Sequence, residues 1–187
     1  PAHWQCFGGE ENNFSVIGNQ QSRPESAIVE KFINSVDAVL MGECLKRNID
    51  PTSSNAPNSI RKALQEYYNI AEGNLTNITP AERSRLAQNI GFVATGAKKD
   101  PNYAIFDFGE GQSPNKLADT ILSIRKSNKL RIPFVQGKFN MGGTGVFRFC
   151  GDHNIQLVNS KRNPEVAAHE TDSSKDKWGF TIIRRED

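Results

Sequence analysis

Residues 30–40, EKFINSVDAVL, decide how this chain is read. The segment is apolar enough for a core helix, yet Glu30, Asn34 and Asp37 interrupt it. At ~100° per residue these three fall at roughly 0°, 40° and −20° on a helical wheel. They form one narrow polar stripe, with Ile33, Val36 and Leu40 to one side and Ile28, Phe32 and Val39 nearly opposite. A helix apolar round most of its circumference is buried, and a carboxylate buried with it needs a partner. The stripe is either the solvent-facing edge of a half-buried helix or the polar lining of a site. The segment by itself leaves both open.

The rest of the chain narrows the choice. Its 187 residues, 36% hydrophobic and 24% charged, suit one globular domain with a real core. Lys plus Arg is 23 and Asp plus Glu is 21, so the net charge of +2 identifies no polyanionic partner. No apolar run approaches the roughly 20 residues that span a bilayer, and no signal peptide opens the chain. Cys6, Cys44 and Cys150 are scattered without a C-x-x-C pair and read as reduced thiols of a cytoplasmic protein. His3, His153 and His169 lack metal-ligand spacing, and there is no G-x-S-x-G elbow.

Residues 1–21 read as an irregular arm. Ser22-Arg23-Pro24-Glu25 has the form of a capping box, predicting a helix from there to about Leu40 or Met41, where Gly42 can end it. Residues 42–90 look like a helical insertion. Asn58 or Ser59 can cap a helix through Tyr68, and Thr79-Pro80-Ala81-Glu82 opens another to about Asn89. GFVATGA (91–97) and YAIFDFG (103–109) predict a hairpin. Residues 112–145 look like an ordered lid around one helix, Lys116 to Lys126. Strands are expected at 154–160 and 178–185. Helices followed by strands indicate an α+β fold, a two-layer α/β sandwich with a mixed, mostly antiparallel sheet.

Two glycine boxes follow the stripe. Asp107-Phe108-Gly109-Glu110-Gly111 comes directly after the strand YAIF: its glycines leave room for a flat ligand, and its Asp can accept hydrogen bonds from an amino group. The second, Gly137 to Gly145 (GKFNMGGTG), can expose successive backbone N–H groups as an anion nest. Neither is a P-loop, since no Gly-Lys is followed by Ser or Thr, and neither completes G-x-G-x-x-G.

The order E-x-x-x-N-x-x-D-A, D-x-G-x-G, lid with a second glycine box, then G-x-T resembles the GHKL, or Bergerat-fold, ATPases. That superfamily includes DNA gyrase B subunits, heat-shock chaperones, mismatch-repair ATPases and histidine kinases, and the motifs span Glu30 to Thr181. The resemblance implies one ATP-binding domain, the N-terminal part of a longer protein. Asn34 would complete the coordination of Mg²⁺ at the phosphates, Glu30 would be the general base for water, and Asp37 would support the pocket. Asp107 would accept the adenine amino hydrogen, Gly109 and Gly111 would admit the base, and Thr181 would bond to Asp107 or a bridging water. Gly142, Gly143, Thr144 and Gly145 would cradle phosphates, with Lys126 and Ser127 as lid contacts.

A carboxylate at Glu30 favours hydrolysis over histidine phosphotransfer. Homodimerisation or contacts with downstream domains on nucleotide binding are expected. A non-hydrolysing, ATP-dependent interaction module is the alternative. Nucleic acid would be reached only through other domains, the modest basic patch of Arg83, Arg85, Lys98 and Lys99 reading as a solvated face. Phe108 and Gln112 depart from residues common in the family, and residues 42–102 are longer than in its compact members.

Overall fold

The computed structural model describes residues 4–7, 23–123, 129–137, 145–146, 149–151 and 153–184. Helix α1, Pro24–Lys46, is 23 residues long, with proline in its first turn, Glu25 near its N-terminus and Lys46 near its C-terminus. Both charges complement the helix dipole. The N-cap is Arg23, without a side-chain cap bond, and Ser22, where the capping box was expected to begin, lies outside the described residues. Nor does Gly42 end the helix. The chain continues because Met41 and Cys44 are still burying surface, and that outweighs the roughly 1 kcal/mol cost of an interior glycine. Gly42 instead serves close packing, since a Cβ there would stand 3.0 Å from the backbone of Gly109 and Glu110.

Helix α2, Ile60–Tyr68, begins as expected: the Ser59 hydroxyl accepts the Lys62 N–H, and left-handed Asn69 closes the far end. Helix α3, Pro80–Ala87, has the predicted reciprocal capping box between Thr79 and Glu82. The core lies between α1, α2 and residues 132–135. Leu40, Met41 and Cys44 pack with Ala63, Ile132, Phe134 and Val135, and Tyr67 meets Phe134 edge-on at 6.3 Å.

Strands β1, Ile90–Ala97, and β2, Asp100–Asp107, form the predicted hairpin around Lys98-Lys99. It docks on α1 through Phe92, whose ring meets Phe32 at 5.6 Å. The expected helix from Lys116 shrinks to α4, Pro114–Leu117, followed by turns to residue 122. Ser113 makes no side-chain cap bond there, and its hydroxyl is turned toward Asp172, to which it donates. Strand β3, Ile155–Lys161, is followed by the short α5, Pro164–Ala167, and by β4, Trp178–Arg184, which pairs antiparallel with β3.

The chain is therefore α+β, with two antiparallel two-stranded sheets and no ladder joining them among the described residues. Alternation along β3–β4 points Gln156, Val158 and Ile183 inward and leaves Leu157, Phe180 and Ile182 exposed on the outer face. Among the described residues no helix is long and apolar enough to cross a membrane.

Candidate functional site

A cavity of about 990 Å³ opens between α1, the end of β2, the turn that follows it, and β3. The helix contributes Lys31, Asn34, Ser35, Ala38 and Met41, spaced by three and four and so on one face. That face is centred about a quarter-turn round from Glu30 and Asp37. The polar stripe is thus divided: Asn34 lines the cavity, and Glu30 and Asp37 look elsewhere.

Asp37 is fully buried, and both of its oxygens are occupied. Oδ1 accepts the Gln136 N–H at 2.8 Å, Oδ2 accepts the Gly137 N–H at 2.8 Å, and the Lys129 ammonium stands 3.5 Å from Oδ2. The role of Asp37 here is to fasten residues 129–137 to α1 and to aim Lys129, which does line the cavity. Glu30 is half-buried, and its Oε2 is shut from solvent without a hydrogen-bond partner among the described residues.

The turn after β2 is built for close approach. Asp107 Oδ1 accepts the Gly109 N–H at 3.0 Å, an Asx turn that folds the carboxylate over the following backbone. Although Asp107 retains exposed surface, burial of its carboxyl raises its pKa above the ordinary value, against the opposing bonds from Gly109 and Ser35. Gly109 lies against α1, where Glu110 N–H donates to Ala38 O at 2.9 Å and a Cβ on Gly109 would overlap the Ala38 carbonyl. Gly111 has φ +59° and sits on the Lys161 carbonyl, so neither the conformation nor the space admits a side chain.

Behind this turn lies a buried ion cluster. Arg162, 4% exposed, donates to Glu110 at 2.9 Å, to Glu170 at 2.6 Å and to the Gly111 carbonyl at 2.8 Å. Lys116 bonds the same Glu170 at 2.7 Å. Burial pushes the Glu170 carboxyl up, but the bonds from Arg162 and Lys116 outweigh it and hold the pKa below its usual value. Asp172 is held far lower by the hydroxyl of Ser113 and the N–H of Ser174.

Lys31, Asn34, Asp107, Gly109 and Gly111 therefore share one wall system, with Lys116, Lys129, Lys161 and Arg162 around it. Thr181 is opposite Val158 in the β3–β4 ladder and is not part of the lining. Gly145 is buried in a turn at 145–146. Lys126, Ser127, Gly142, Gly143 and Thr144 lie outside the described residues.

No group of three or more His, Cys, Asp or Glu residues that could hold a metal occurs among the described residues. Asn34 offers one amide oxygen, which suits a Mg²⁺ ion whose other ligands are phosphate and water. Sequence reasoning passed over Lys31 and Arg162. Lys31 was legible by centring the helical wheel on Asn34, three residues on. Nothing in the sequence distinguishes Arg162 from a surface arginine.

No protein-family model, curated protein or solved structure matches this chain.

Proposed function

We propose that this chain is a cytoplasmic ATP-binding module of the Bergerat type, which takes ATP with Mg²⁺ and hydrolyses it to ADP and phosphate as a conformational or dimerisation switch. In this reading the helical layer and the two hairpins are parts of that fold's two-layer sandwich. One observation carries the reading: the helix face bearing Asn34 and the turn Asp107-x-Gly109-x-Gly111 converge on a single cavity with a surplus of positive charge. Lys31, Lys116, Lys129, Lys161 and Arg162 line it against Asp107 and Glu110. A flat base with a donor fits Asp107 beside the two glycines, and a polyanion fits the basic walls.

Each residue then has a task. Asp107 accepts from the exocyclic amino group, while Gly109 and Gly111 keep the turn low enough for the base to lie on it. Asn34 supplies one oxygen to Mg²⁺, which offsets the phosphate charge when bound. Glu30, one helical turn from Asn34, is the base for water. The exposed apolar face of β3–β4 supports the partner half of the reading, since such faces mark contact surfaces.

The test is calorimetric titration of ATP and GTP with and without Mg²⁺, on wild type and Asp107→Asn. Adenine-selective binding that Asp107→Asn removes is the expected outcome. Equal binding of both nucleotides, or none, would overturn the reading. One observation favours the second reading, nucleotide binding without turnover: Glu30 is not part of the cavity lining. Single-turnover assays with wild type and Glu30→Gln decide between the two.

A further inference from the structure

Among the basic groups on the cavity wall, three have committed partners. Lys116 is bonded to Glu170, Lys129 stands against Asp37, and Arg162 is shared between Glu110 and Glu170. Lys31 and Lys161 form no such ion pair among the described residues, and of the two Lys31 is the one on the helix face that carries Asn34. It projects from α1 into the same cavity, one turn before Asn34 and Ser35, and burial strips much of the water from its ammonium. Its neighbours in charge are Glu30 on its own helix and the thiol of Cys150, whose Sγ bonds the Val146 carbonyl at 3.2 Å.

A half-buried ammonium without an ion pair is costly to keep. The same arrangement is productive for a ligand, because a desolvated cation already in place gains more from an incoming anion than a hydrated or pre-paired one does. We infer that Lys31 is the cavity's anion-binding residue, taking a phosphoryl group beside Asn34 and Ser35. Phosphate contact is thereby assigned to the helix itself, apart from the second glycine box. Lys129 and Lys116 shape the potential but keep their own carboxylates.

The inference rests on the nucleotide reading for the identity of the phosphate carrier, so the test separates carrier from charge. Adenosine, ATP and inorganic pyrophosphate are titrated into wild type, Lys31→Met and Lys31→Arg, with folding checked by circular dichroism. Lys31→Met is expected to weaken ATP and pyrophosphate about ten-fold or more while leaving adenosine within about two-fold. Lys31→Arg keeps the charge and should restore most of the loss.

Pyrophosphate binding that depends on Lys31, with adenosine and ATP adding nothing, upholds Lys31 and removes the nucleotide reading alone. ATP and pyrophosphate binding that ignores Lys31→Met overturns the inference and leaves the nucleotide reading standing. Equal weakening of adenosine and ATP also overturns it, as does wild type that binds no phosphate-bearing probe.

Discussion

Asp37 and Gly137 are 100 residues apart in the chain and are joined at 2.8 Å, the buried carboxylate of one accepting the backbone N–H of the other. With Gln136 N–H on the second oxygen, one side chain holds α1 against the segment that carries the core residues Ile132, Phe134 and Val135. It also aims Lys129 at the cavity. An amide in its place has a single acceptor and turns an NH₂ toward a buried N–H. Asp37→Asn is therefore expected to lose about 2 kcal/mol of stability, read from the urea midpoint, and to weaken ligand binding secondarily.

Gly109→Ala should do more harm than its size suggests. The added Cβ meets the Ala38 backbone of α1, which cannot turn aside as a side chain could. The expected loss is about 2–3 kcal/mol, accompanied by displacement of Asp107 and loss of nucleotide affinity.

Arg162→Met removes the centre of the ion cluster, takes the ion-pair partner from Glu110 and leaves Glu170 with Lys116 alone. Breaking such a pair by deleting one partner costs about 3–5 kcal/mol. Chemical denaturation at pH 7 should show it. Mild acid should relieve part of the deficit, because the Glu170 carboxyl, no longer held low by Arg162, can then protonate.

Glu30→Gln separates chemistry from binding. Its expected result is unchanged ATP affinity with turnover lowered about 100-fold or more, measured as phosphate release. Parallel loss of affinity would instead assign Glu30 to the architecture of α1.

Lys31 makes stability depend on alkaline pH. Burial pushes its pKa from 10.5 down to about 8, against the opposing pull of Cys150 and Glu30. Below about pH 8 native and unfolded chains both carry the proton, and the cost of the buried charge is present in full. Between about 8 and 10.5 the native state gives up its proton first, so this group makes stability rise with pH. At about 1.4 kcal/mol for each ten-fold change in proton affinity, the cost is at most about 3 kcal/mol. Lys31→Met should be more stable than wild type at pH 7 by up to that amount, and the advantage should shrink toward pH 10. An equal difference at both values would rule this out.

Local chemistry made much of the secondary structure readable. The reciprocal bonds of Thr79 and Glu82, the Ser59 cap and the hairpin around Lys98-Lys99 are settled by neighbours within a few residues. The end of α1 was not, because Gly42 answers to Gly109 and Glu110, more than 60 residues on. At the other end the helix starts from Arg23, where Pro24 in the first turn favours a start without a side-chain cap.

The sequence by itself determined the mixed α+β character, the helix bearing Asn34, and the turn Asp107-x-Gly109-x-Gly111 that closes β2. Those follow from backbone propensity and spacing, which act over a turn or two. Only the tertiary structure decided which face of α1 meets the cavity. The wheel shows that Glu30, Asn34 and Asp37 are neighbours, but rotation of a helix about its axis is set by what packs on every side of it. Here the N–H groups of Gln136 and Gly137 claim Asp37, the rings of Phe32 and Phe92 meet, and the Gly109 backbone presses on Ala38. Those contacts turn the helix so that Lys31, and not Glu30, stands with Asn34 on the wall of the site.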